Sequence, residues 1–113
     1  MAAVANIFEY SYDPARLDRL EVVLPAAEQI LLETFEQQPG YVASITIDRG
    51  GGQCMRLTLW ESAETADAAA FENNEQVREA VMNRSRPLIQ PLIAAPPTHS
   101  RATVVCYRGR PTS

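Results

Sequence analysis

Arg56, Thr58 and Trp60 stand two residues apart, so in an extended strand their side chains leave the same face. Together they offer a fixed cation, a hydroxyl and a large aromatic wall, a set able to hold a flat ligand and to stabilise negative charge on it. Asn6 begins an earlier strand-like stretch. If the two strands pair antiparallel, the start of the first lies beside the end of the other, and Asn6 joins the same face. Tyr10 and Tyr12 follow Asn6 in the same alternation and add hydroxyls that donate or accept.

Other reactive side chains fit this set less well. The single histidine, His99, follows Pro96-Pro97 and reads as an exposed loop residue. Cys54 and Cys106 lack CxxC spacing and read as reduced, buried small apolar side chains on two strands held apart by a third. Arg49-Gly50-Gly51-Gly52 reads as a tight reversal, because a phosphate cradle needs a strand leading directly into a helix.

The elements that must position these residues follow from periodicity and punctuation. Alternation over residues 4–12, 41–48, 54–60 and 100–107 predicts four strands. Asp13-Pro14 opens a helix, and Leu17, Leu20, Leu24, Ala27, Leu31 and Phe35 keep one stripe in phase across Pro25. One kinked helix is favoured over a fresh helix opening at Pro25. Ser62 caps a helix over 63–71, Asn73-Asn74 interrupts it, and a second segment from Glu75 towards Ile93 must bend at Pro87 and Pro91. Pro96-Pro97 is expected to end that segment.

The order is βαββαβ, a ferredoxin-like α+β domain. Right-handed crossovers give one antiparallel sheet in the order 4-1-3-2 with all helices on one face. Ile45, Ile47, Leu57 and Leu59 fall on one set of strand positions, and Val42 and Trp60 on others, so both sheet faces carry apolar residues. The face away from the helices needs a cover, and a homodimer is expected to supply it.

Size and charge narrow the function. The 113 residues suit a single domain, and 46% hydrophobic with 21% charged residues suits a packed core. A net charge of −4 argues against a nucleic-acid partner. No apolar run reaches about 18 residues and the first residues lack a positive leader, so neither a membrane span nor a signal peptide is expected. A cytoplasmic protein is the expectation.

Gln38-Pro39-Gly40-Tyr41-Val42 after the first helix, Leu57-Thr58-Leu59-Trp60-Glu61-Ser62 closing the third strand, and Val77-Arg78-Glu79-Ala80 further on carry a family likeness. Over nearly the whole chain they resemble the antibiotic biosynthesis monooxygenase family of dimeric α+β barrel proteins. The resemblance implies oxidation of a small aromatic compound of phenol, anthrone or quinol type by dioxygen, without cofactor or metal. The substrate anion would itself reduce dioxygen, in a pocket that binds, desolvates and stabilises it. Arg78, through this resemblance, joins Arg56 and Asn6 as a catalytic candidate, with Trp60, Thr58, Tyr10 and Tyr12 as substrate-binding candidates.

The sequence departs from the family at Arg56, where polyketide-oxidising members have asparagine, and at Ala66, where they have tyrosine. Heme-degrading relatives match Asn6 and Trp60, but their histidine is Ala70 here, which makes heme breakdown a weaker reading. The alternative is a non-catalytic dimeric module that binds a small aromatic ligand.

Overall fold

The computed structural model describes residues 2–108. β1 (Val4–Tyr12) leads through a 3₁₀ turn (Pro14–Arg16) into α1 (Leu17–Glu36). Asp13 caps that turn by accepting the Ala15 amide at 2.9 Å, and Pro14 sits where no N–H is needed. Pro25 lies inside α1, which continues through it. The predicted stripe holds because packing against the sheet stabilises the helix on both sides of the lost hydrogen bond. Leu20, Ala27 and Leu31 are buried, and Leu17, Leu24 and Phe35 pack at the edges.

β2 (Tyr41–Asp48) and β3 (Gln53–Trp60) form the expected hairpin, closed by Arg49 N–H to Gln53 at 2.8 Å and Gln53 N–H to Gly50 at 3.1 Å. Gly50, Gly51 and Gly52 all take positive φ. Gly52 has a second reason to be glycine: its carbonyl accepts the Tyr12 amide at 2.8 Å, and a Cβ there would collide with the Tyr12 carbonyl oxygen.

The sheet order is β2-β3-β1-β4 with every pair antiparallel, which is the predicted 4-1-3-2 order read from the other edge. The register sets Asn6 opposite Thr58, Phe8 opposite Arg56 and Tyr10 opposite Cys54. These residues share the face on which the helices pack. The domain is thus α+β and ferredoxin-like. Among the described residues no helix is long and apolar enough to cross a membrane.

The second half of the chain departs from expectation in two places. Residues 75–92 form the expected unbroken helical run, but not as a regular α-helix. They run as α3 (Glu75–Glu79), a π-helical turn (Ala80–Ser85), α4 (Arg86–Ile89) and a 3₁₀ turn (Gln90–Leu92). Pro87 has no N–H for the carbonyl four residues earlier and its ring crowds it, so the backbone widens just before it. The predicted helix over 63–71 is likewise shorter: α2 is Ala63–Ala68, opened by the Ser62–Thr65 capping box.

The other departure is β4, which spans Ile93–Thr103 rather than 100–107. Pro96 and Pro97 do not end the preceding segment; they lie inside the strand. Two circumstances accommodate them. β4 is an edge strand, and Pro96 and Pro97 together oppose the single residue Tyr10, a bulge where ladder hydrogen bonds are already lost. His99 therefore belongs to a strand, opposite Phe8, and not to a loop. Cys106 falls beyond the strand and is exposed, while Cys54 is buried; both are free thiols. Burial, reinforced by the Asp48 and Glu28 carboxylates, pushes the Cys54 thiol up to about 11.

Away from the helices the sheet presents Ile45 and Ile47, 53% and 39% exposed, on the same face as Ile7, Met55 and Leu57.

Candidate functional site

A cavity of about 650 Å³ lies between the sheet and the helices. Its floor is made by β1 through Asn6, Phe8 and Tyr10 and by β3 through Arg56, Thr58 and Trp60. α1 contributes Leu31 and Phe35, α2 contributes Ala66, and the π-helical turn contributes Val81 and Ser85. Arg86 of α4 and His99 and Arg101 of β4 complete the wall. The space is large enough for a ligand of two or three fused rings, and its lining of aromatic and aliphatic side chains with a few polar groups is typical of small-molecule sites.

Trp60 is held at the inner end, with Phe35 and Tyr41 edge-on at 5.6 and 5.8 Å between ring centroids. The space beside it exists because α2 and its C-cap present only small side chains there, Ala66 and Ala69. Thr58 is buried, and its hydroxyl accepts a hydrogen bond from Ser44 at 3.1 Å. Asn6 is fixed from the opposite edge: its Oδ1 accepts from Arg101 Nε at 2.8 Å, while Arg101 Nη1 pairs with Asp67 at 2.7 Å.

Arg56 dominates the electrostatics. It is only 6% exposed, with its Nη1 on Glu28 at 2.8 Å and its Nη2 donating to the Tyr10 hydroxyl at 3.1 Å. Its guanidinium carbon lies 5.0 Å from the Phe8 ring centre and 5.5 Å from that of Tyr10. Its Nε is buried without a hydrogen-bond partner. Burial favours loss of the proton, but the Glu28 carboxylate, the Tyr10 oxygen and the hydrogen bonds to both outweigh it, so the pKa moves up and the charge is kept.

Five of the seven residues singled out from the sequence thus meet in one cavity: Asn6, Tyr10, Arg56, Thr58 and Trp60. Arg78 and Tyr12 do not line it. Arg78 is exposed and gives its donors to the Phe71 and Glu72 carbonyls, both at 3.1 Å, closing the loop after α2. Tyr12 shares the face of Tyr10 but lies too far along β1, packed in the core with Leu20, Val23 and Ala27, where burial raises the pKa of its phenol strongly.

Glu28 went unnoticed in the sequence although its signal was there. It lies beside Ala27 on the apolar stripe of α1, four residues after Leu24 and three before Leu31, where a carboxylate implies a buried partner. His99, flat against Phe8 at 4.4 Å between ring centroids, was hidden by the misplaced strand. Arg86 had no periodic signal, while Arg101 lay within the expected last strand, where only the register sets it opposite Asn6. Among the described residues no three His, Cys, Asp or Glu side chains cluster closely enough to hold a metal ion.

No family model and no curated protein matches the chain. Solved structures do. A protein from Nitrosomonas europaea that carries the provisional name of an antibiotic biosynthesis monooxygenase superposes with a TM-score of 0.68 at 11% identity, over 96% of this chain and 95% of that one. One from Chloroflexus aurantiacus with the same provisional name gives 0.62 at 21% identity, over 96% and 98%. SnoaB, a cofactor-independent oxygenase from Streptomyces nogalater, gives 0.64 at 13% identity, over 95% and 97%. At these identities the likeness is one of fold, and at that level the resemblance seen in the sequence holds.

The buried ion pair makes a stability prediction. Glu28→Leu leaves the Arg56 charge buried without its counter-ion and should cost about 3–5 kcal/mol, whereas Glu28→Leu combined with Arg56→Met should recover most of that loss. Urea unfolding of the two variants measures the difference; equal destabilisation would show that the pair contributes little.

Proposed function

We propose that the chain is a cofactor-independent monooxygenase that oxidises a small aromatic compound of phenol, anthrone or quinol type with dioxygen. The observation that carries this reading is a permanently charged guanidinium, Arg56, buried in the floor of an aromatic-lined cavity beside Trp60. In such surroundings a positive charge favours the ionised form of a bound phenol or enol far more than water does. The substrate loses a proton to solvent, and the resulting anion passes electrons to dioxygen. One oxygen atom enters the product as a carbonyl and the other leaves as water, so no external reductant is consumed. The protein supplies a dry cavity, orientation and charge.

A second reading rests on Glu28. Because its carboxylate largely balances Arg56, the cavity could bind an aromatic ligand without activating it, as a non-catalytic module would. Oxygen uptake with a panel of anthrones, naphthols and quinols separates the two. The oxygenase reading expects saturable uptake, with Arg56→Met slowing turnover by about 30- to 1000-fold and Trp60→Phe mainly weakening binding. Binding with no uptake across the panel favours the module.

The same reading makes the protein a cytoplasmic homodimer, the exposed Ile45 and Ile47 face being covered by a second copy. Light scattering at micromolar concentration should give twice the chain mass. Replacing both Ile45 and Ile47 with lysine should give the single-chain mass, and a wild-type monomer would refute the assembly.

A further inference from the structure

Tyr10 enters the cavity from β1, and its hydroxyl oxygen is engaged by Arg56 Nη2 at 3.1 Å. A phenolic hydroxyl that accepts from a guanidinium still has one proton to give. Among the described residues that proton reaches no protein acceptor. The ring that carries it is held on both sides, stacked on Phe8 at 6.4 Å and on Tyr12 at 5.9 Å between centroids.

Behind the hydroxyl runs a chain of polar contacts. Thr46 donates to Glu28 Oε1 at 2.7 Å, Glu28 Oε2 holds Arg56 Nη1 at 2.8 Å, and Arg56 holds Tyr10. Arg56 borders the cavity but is largely enclosed by its own partners. Each terminal nitrogen already makes one hydrogen bond and keeps a single further N–H, Nε is sealed from solvent, and the Phe8 and Tyr10 rings lie against the guanidinium. The charge belongs to Arg56, and Tyr10 carries a hydroxyl proton with no protein acceptor among the described residues.

We propose that Tyr10 is the group that contacts the substrate, donating its hydrogen bond to the oxygen that ionises, and that Arg56 and Glu28 are positioning residues acting through it. The proposal rests on the oxygenase reading for the aromatic class of ligand and narrows that class. One O–H donor serves one oxygen, so the site takes a phenol or enol rather than a carboxylate, which is better matched by a guanidinium fork. Arg56 orients the hydroxyl and strengthens it as a donor, while Glu28 offsets part of the positive charge that the ligand senses.

The test uses 4-nitro-1-naphthol, whose visible absorption reports its ionisation, titrated with pH in the presence of saturating protein. The charged and titratable groups facing the Tyr10 hydroxyl are Arg56 and Cys54 on β3, Glu28 on α1 and Tyr12 on β1, with Glu72, Arg86, His99 and Arg101 along the same cavity. The bound probe should ionise at lower pH than the free probe. Tyr10→Phe keeps the ring and should weaken ionisation about tenfold, with binding of the neutral probe little changed. Arg56→Met should act in the same direction, and Glu28→Gln in the opposite one, because it removes the balancing negative charge. Equal bound ionisation in wild type and Tyr10→Phe overturns the proposal, as does the absence of saturable probe binding. Should Glu28→Gln fail to fold, Tyr10→Phe decides alone. Absent oxygen uptake alongside the expected probe shifts would remove the oxygenase reading and leave the role of Tyr10 standing. Uptake that Tyr10→Phe leaves unchanged, with no probe shift, would do the reverse.

Discussion

Removing a guanidinium from water costs several kcal/mol, and the Arg56 side chain can stay where β3 places it only if its surroundings return that energy. Glu28 supplies the counter-charge from α1, Tyr10 supplies an oxygen from β1, and the Phe8 and Tyr10 rings give the cation aromatic contacts. One side chain thereby ties the two central strands to the long helix. The tie also fixes the rotation of α1 about its axis, since Glu28 must face the sheet together with Leu24 and Leu31.

The core divides around this tie. One cluster gathers Tyr12, Leu20, Val23, Ala27, Cys54, Ile89 and Leu92, and another gathers Val4, Trp60, Ala66 and Ala69. The cavity borders both. It survives because the elements above it cannot close down: α2 offers alanines, and the π-helical turn forced by Pro87 widens the backbone where an α-helix would pack more tightly. Space for a ligand thus follows from small side chains at one end and a proline at the other.

Sequence reasoning recovered the strand order because alternation, a glycine turn and short connections leave few topologies open. It also brought Asn6, Arg56, Thr58 and Trp60 together, since antiparallel pairing decides which residues share a face. It failed where tertiary context overrides local rules. Pro96-Pro97 was expected to end the helical segment ahead of the last strand, yet an edge position and a bulge admit both prolines into that strand, and His99 enters the site with it. Arg78 was assigned by likeness rather than geometry, and local carbonyls claim its donors. Glu28 shows the reverse error, a readable clue in the helix stripe that was passed over.

The central claim is that the cavity beside Trp60 and Arg56 is where a small aromatic ligand binds. The chain has a single tryptophan, so its indole N–H gives one resolved signal in a proton–nitrogen correlation spectrum, and the Arg56 Nε–H, shielded from solvent, should give another. Titration with anthrone under exclusion of oxygen should shift both signals together, saturating near one ligand per chain. Shifts confined to the Ile45 and Ile47 face, or an indole signal that stays fixed while ligand binds, would contradict the account.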